Sequence, residues 1–143
     1  MGPECPADRV TINEGRIVVR GIGIDVVEIE RIHRMIEKYG LHFLEKVFTD
    51  AEIVYCNAKA HPATHFAVRW AAKEAFYKAL PLAVQSVATW KSIETLPREK
   101  SGKPEISLLS SELAEFFAAE GIGSWMVSLS HERSVCTAIV VLE

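Results

Sequence analysis

An α+β fold, a small antiparallel sheet packed with helices, is predicted by three features of the sequence. Apolar residues recur at helical spacing through the first half, β-branched segments dominate the second half, and those segments follow one another as hairpins. A wound parallel sheet would need strands and helices in alternation. The 143 residues, 49% hydrophobic and 24% charged, have the size and composition of one ordinary domain with its own apolar core, which excludes disordered and collagen-like chains. Residues 1–15 read as a flexible leader and residues 16–143 as one domain.

Sixteen Lys plus Arg against nineteen Asp plus Glu give a formal charge of −3, so there is no global basic field for nucleic acid. No apolar run approaches the ~18 residues of a membrane span. Cys5, Cys56 and Cys136 are scattered, odd in number and never paired as Cys-x-x-Cys, which argues against a disulfide framework and points to a reducing, cytoplasmic compartment.

Residues 16–25 are β-branched and punctuated by Gly21 and Gly23, the pattern of a buried strand ending at Asp25. From Val26 the spacing changes to that of a helix, through Ile29, Ile32 and Met35 or Ile36, with Gly40 as its C-terminal cap. Thr49-Asp-Ala-Glu52 is a capping box that starts a second helix, ending before His61-Pro62. A third helix over His65–Leu80 is apolar on most faces and stops at Pro81. Val87–Leu96 and Pro104–Leu109 form a hairpin across Ser101-Gly-Lys103, Ser110 or Ser111 opens a short helix closed by Gly121, and Trp125–Ser130 and Val135–Leu142 are the last two strands.

Glu74 is the most informative residue, because its helical neighbours Trp70, Ala71 and Tyr77 would partly desolvate a carboxylate. An ion pair with Lys78 at i+4 is the plain alternative, worth only ~0.3–0.5 kcal/mol. Yet Arg69, Lys73, Glu74 and Lys78 place four charges in ten residues of an otherwise apolar helix, a polar island that asks for a ligand. Asp25 alone reads first as a helix cap. Should it meet Glu74, two like charges ~4 Å apart would repel by about 4 kcal/mol at an effective dielectric of 20, so the pair needs a cation. With oxygen ligands only, Mg²⁺ is the natural occupant.

The strings Gly21-Ile-Gly-Ile-Asp25-Val-Val-Glu28-Ile-Glu-Arg31, Phe48-Thr-Asp-Ala-Glu52, Arg69-Trp-Ala-Ala-Lys73-Glu74-Ala-Phe-Tyr-Lys78, Gly102-Lys-Pro104 and Ser128-Leu-Ser-His131-Glu132 closely resemble the small bacterial holo-acyl-carrier-protein synthases of the 4′-phosphopantetheinyl transferase family. The resemblance spans about Val18 to Glu143, and the motifs are specific in combination and order. It implies the fold of that family and transfer of 4′-phosphopantetheine from coenzyme A to a serine of apo-acyl carrier protein, leaving adenosine 3′,5′-bisphosphate, in fatty acid biosynthesis. By the same resemblance Asp25 and Glu74 would hold Mg²⁺, Lys78 would touch a phosphate oxygen, and Arg69, Lys73 and His131 would contact coenzyme A. Arg31, with Arg34 and Met35 beside it, would dock the acidic carrier protein, and the chain would assemble as a homotrimer with its active site between subunits.

The base that takes the serine proton is left open by the motifs: a metal-bound water, or a carboxylate acting through water, with Glu74 the carboxylate to test. One departure from the family stands out. Pro81-Leu-Ala-Val-Gln-Ser86 replaces a glycine-rich Gly-Thr-Gly loop that approaches the nucleotide, which predicts a weakened nucleotide clamp. Two other classes of function compete: a non-catalytic binding module for coenzyme A or carrier protein, which has no need of paired carboxylates, and a metal-dependent phosphohydrolase, which would release phosphopantetheine without carrier protein.

Overall fold

A computed structural model describes residue 15 and residues 17–143; residues 1–14 of the leader, with Cys5, and Arg16 lie outside the described residues. Strand β1 (Gly21–Glu28) leads into helix α1 (Ile29–Val47), followed by α2 (Asp50–Asn57) and α3 (Pro62–Ala79). A single turn, α4 (Leu82–Gln85), and a 3-10 turn (Trp90–Ser92) connect to β2 (Ile93–Pro97) and β3 (Pro104–Leu108). Helix α5 (Ser111–Glu120), β4 (Trp125–His131) and β5 (Val135–Leu142) complete the chain. The strands form a three-stranded antiparallel sheet in the order β1-β5-β4 and a separate antiparallel hairpin β2-β3. The fold is therefore α+β with small antiparallel sheets.

Helix α3 lies across the inner face of the larger sheet and packs on both β1 and β5. Two glycines permit the close approach. A Cβ on Gly23 would overlap the Ala75 carbonyl oxygen, and one on Gly21 would overlap that of Ala79. Residues 23, 25 and 27 of β1 face the helix, so the strand delivers Asp25 to the α3 side. Trp125 Nε1 donates to the Ile106 carbonyl at 2.7 Å and joins the two sheets, with Phe117 of α5 edge-on to the same indole.

The local signals act where they stand in sequence. Thr49 caps α2 with both halves of the capping box made, Ser110 caps α5 through Leu113 N, and Gly121 ends α5 in the left-handed region at φ 69°. Pro62 occupies the first turn of α3, which therefore begins about a turn before His65, and Leu80 before Pro81 is already extended. Cys56 and Cys136 are buried, with both thiols pushed up to about 11 by burial, and serve as neutral apolar packing.

Four expectations are corrected. β1 does not end at Asp25: Val26, Val27 and Glu28 pair with Thr137, Cys136 and Val135, and this ladder overrides the helical spacing that Val26 shares with Ile29 and Ile32. Glu28, not Asp25, stands before α1, and it makes no side-chain cap. Gly40 does not terminate α1; at φ 55° and ψ −137° it kinks the chain, which then resumes as helix and buries Phe43, Leu44 and Val47. The expected strand from Val87 begins only at Ile93, because the preceding residues are spent on the 3-10 turn.

Gly23→Ala should destabilise the protein by about 1–3 kcal/mol, since a rigid backbone carbonyl cannot yield to the added methyl. Urea unfolding measures it, and wild-type stability would contradict the close approach of α3 to β1.

Candidate active site

The approach of α3 to β1 sets the geometry of the charged residues. On α3, Glu74 and Lys78 are one turn apart and share a face. Lys78 Nζ donates to Asp25 Oδ1 at 3.0 Å and to the Ile24 carbonyl at 3.1 Å. The Asp25 side chain is 14% exposed and that of Lys78 is 50% exposed, so the pair sits at the rim of the interface with access to solvent. Burial pushes the Glu74 carboxyl above its ordinary value of 4.5, and the Asp25 charge pushes it further, while Lys78 and Arg31 pull it back. Two residues 49 positions apart in sequence thus feel each other's charge, with a third cation, Arg31, in range.

The donor set fits Mg²⁺. Asp25 and Glu74 supply hard oxygens, and a positive group, the Lys78 ammonium, already lies against Asp25. Among the described residues no group of three or more His, Cys, Asp or Glu could hold a metal, so the rest of an octahedral shell would come from water and phosphate oxygens. Beside Glu74 opens a cavity of about 250 Å³ lined by Tyr77, Phe76, Ala88, Thr89 and Trp90.

Arg31 extends from the first turn of α1 with its guanidinium 5.8 Å from the centre of the Trp70 ring, and Trp70 stacks on Trp90 at 4.4 Å. Arg34 is exposed and pairs with Glu30 at 3.2 Å, while Met35 packs against the core. Of this group, Arg31 acts on Glu74 through its charge.

The other two basic residues of α3 are held by protein groups. Arg69 Nε donates to the Thr95 carbonyl at 2.9 Å, Nη1 to the His65 carbonyl at 3.2 Å, and the guanidinium lies 4.3 Å from the centre of the Tyr55 ring. It also borders an 820 Å³ cleft between the β2-β3 hairpin and β4 that includes Arg98, Lys103 and Pro104. Lys73 is buried, and its Nζ donates to the Trp90 carbonyl at 2.8 Å and the Ile93 carbonyl at 2.7 Å and pairs with Glu52 Oε2 at 3.1 Å. Three donors meet three acceptors, which leaves none for a phosphate. In this arrangement Lys73 is held by protein groups, and it borders the same cavity as Glu74.

His131 is not brought to Asp25 either. It ends β4 opposite Cys136 and borders a groove with His33, His61 and His65 at the N-terminal end of α3. Burial, then the charges of Arg69, Lys59, His131 and His61, hold His65 below its ordinary value. His65 and Glu74 are nine residues apart on α3, about 13 Å along the helix. Pro81–Ser86 forms a turn of helix in which Leu82 is 86% exposed, Val84 is buried, and Gln85 Nε2 donates to the Leu80 carbonyl at 3.1 Å.

Comparison with known proteins identifies the family and the fold. Residues 21–139 match the family described as the 4′-phosphopantetheinyl transferase superfamily. The holo-[acyl-carrier-protein] synthase of Geotalea daltonii is 40% identical over 88% of this chain and 99% of its own length. Among solved structures, the holo-[acyl-carrier-protein] synthase of Neisseria meningitidis superposes with a TM-score of 0.76 at 32% identity, covering 88% of this chain and 99% of that one. That of Helicobacter pylori in complex with coenzyme A gives 0.73 at 33% identity, covering 85% and 99%.

Because the pKa of Glu74 is raised on folding, the folded protein binds that proton more tightly than the unfolded chain. The benefit is complete below about pH 4.5 and is lost as pH rises through the folded value. Glu74→Gln, which stays neutral, should therefore melt at a higher temperature than the wild type at pH 7 without divalent cations, with the difference shrinking toward pH 4.5. A lower melting temperature for the variant at pH 7 would contradict a Glu74 carboxyl raised by burial and by the Asp25 charge.

Proposed function

The chain belongs to the 4′-phosphopantetheinyl transferase superfamily, and from that membership we propose that it transfers 4′-phosphopantetheine from coenzyme A to a serine of apo-acyl carrier protein. The serine hydroxyl gives up its proton to a base, its oxygen bonds to the phosphorus that bears pantetheine, and the bond from that phosphorus to the bridging oxygen breaks, the oxygen departing with adenosine 3′,5′-bisphosphate. The observation that carries this reading is the convergence of Asp25, Glu74 and Lys78 where α3 crosses β1.

Asp25 and Glu74 would hold Mg²⁺, which would supply positive charge to offset that of the phosphoryl group under attack and of the leaving phosphate. The chain's own contribution is placement. β1 fixes Asp25 toward the helix, α3 presents Glu74 and Lys78 one turn apart, and the Lys78 ammonium, on a long and half-exposed side chain, reaches a non-bridging diphosphate oxygen. Arg69 and His131 serve the nucleotide and phosphate end of coenzyme A.

His131, at the end of β4, borders the groove at the N-terminal end of α3 rather than the Asp25 of its own chain, and the outer face of β1 carries Ile22, Ile24 and Val26 at 61%, 59% and 64% exposure. An apolar sheet face of that kind asks for a partner. A homotrimer, with the active site completed across the subunit boundary, supplies both the cover and the histidine.

Arg31, steadied over Trp70 and within range of Glu74, docks the acidic carrier protein beside the phosphate, with Arg34 and Met35 extending that surface. The turn of helix at Pro81–Ser86 gives a looser hold on the nucleotide than a glycine-rich loop. Residues 16–143 act as one catalytic domain, in the cytoplasm, in the carrier-protein activation step of fatty acid biosynthesis. Among the described residues no helix is long and apolar enough to cross a membrane.

Incubation with apo-acyl carrier protein, coenzyme A and Mg²⁺ should add one phosphopantetheine to the carrier, read by mass spectrometry. An unshifted carrier with folded enzyme would sink the proposal, and free phosphopantetheine would favour a hydrolase. Asp25→Ala and Glu74→Ala should each lower kcat by about two orders of magnitude or more, several kcal/mol of transition-state stabilisation, while remaining folded. Raising salt should raise the KM for carrier protein far more than that for coenzyme A, and equal effects would count against the Arg31 patch.

A further inference from the structure

Lys73 and Glu74 are consecutive on α3 but serve different neighbours, Lys73 the buried interior and Glu74 the rim. Glu52, fully buried at the start of α2, binds Lys73 Nζ and also accepts from Thr49 N at 2.9 Å and Thr95 N at 2.8 Å. One carboxylate thus ties α2, α3 and β2 together. We propose that Glu52 is a positioning residue for the transfer site: through Lys73 it fixes the rotation of α3 about its axis and so holds the Glu74 carboxylate toward Asp25. The inference rests on the reading that Asp25 and Glu74 hold the metal.

Helix α3 needs such a device because apolar burial alone sets its rotation weakly. Phe66, Ala67 and Val68 are buried in succession, as are Ala71 with Ala72 and Ala75 with Phe76, so the helix has no single apolar stripe to choose the face turned to the sheet. Directional polar contacts can choose it. Side-chain tips lie about 5–6 Å from a helix axis, so a 20° rotation displaces a carboxylate by about 2 Å. Mg²⁺ demands ligands at about 2.0–2.1 Å in near-octahedral geometry and tolerates no such shift. A buried ion pair is weak evidence for stability, and fixing geometry is among its better attested uses.

The test uses the full chain with Glu52→Gln/Lys73→Met. The double substitution is chosen because Glu52→Gln alone would strand the Lys73 ammonium in the interior. Circular dichroism and melting report the fold. The Mg²⁺ concentration for half-maximal transfer, the Mg²⁺-induced rise in melting temperature with coenzyme A present, and the KM for coenzyme A report the site. A folded double variant should need about 10-fold more Mg²⁺, in the range seen when partners of metal ligands are removed, with the KM for coenzyme A within about twofold. The Mg²⁺-induced rise in melting temperature should shrink with it.

Wild-type Mg²⁺ dependence in the folded double variant overturns the inference. So does a rise in the KM for coenzyme A with Mg²⁺ dependence unchanged, since Lys73 would then be a substrate contact. Failure of the double variant to fold overturns it as well, because the pair would be a determinant of folding alone. If the wild type itself shows no Mg²⁺ dependence, the reading of Asp25 and Glu74 falls first.

Discussion

The closeness of α3 to β1 is the constraint on which the site depends. Gly21 and Gly23 leave no side chain between the strand and the helix backbone, and the carbonyls of Ala75 and Ala79 occupy that space. Only at this separation can Lys78 reach both the Ile24 carbonyl and the Asp25 carboxylate, and only then does Asp25 act on Glu74. A bulkier strand would push the helix outward and separate the groups.

The opposite side of α3 is held by different means. Arg69 and Lys73, one turn apart, are buried and bonded to backbone carbonyls, and Lys73 is closed by Glu52. The four charges of this helix therefore divide into two pairs with opposite tasks. Arg69 and Lys73 satisfy polar groups of the hairpin and the 3-10 turn, where an unpaired donor or acceptor would be costly. Glu74 and Lys78 are left at the rim, incompletely satisfied by the protein, and a partly desolvated carboxylate near a second carboxylate is the condition for recruiting a cation. The division follows helix geometry, since residues four apart share a face and consecutive residues lie about 100° apart.

Much of the architecture was legible from local chemistry. The capping box at Thr49 and Glu52, the stop at Pro81, Gly121 and the last two strands depend on neighbours in sequence, and the structure keeps them. The extent of β1 was not legible, because Val26 fits a helical spacing and a strand equally well and only pairing with Thr137 decides. The convergence of Asp25 with Glu74 was suggested by charge in an apolar helix and by family resemblance, not by spacing. The partners of Lys73 were not legible for a simple reason: sequence shows a charged residue, whereas Glu52, Trp90 and Ile93 come from segments far along the chain. Glu52 itself gave only its capping signal, and its second and third contacts arise from packing. Nothing in the string around Pro81 told that it would form a turn of helix stapled by Gln85.

The central claim is that Asp25 and Glu74 act jointly on one divalent ion. Electron paramagnetic resonance with Mn²⁺ as a spectroscopic substitute, titrated into the protein saturated with coenzyme A, counts that ion directly. One tightly bound Mn²⁺ per chain is expected in the wild type, and neither Asp25→Asn nor Glu74→Gln should retain it. Undiminished binding in either variant, with coenzyme A still bound, would show that the two carboxylates do not share an ion and would contradict the account.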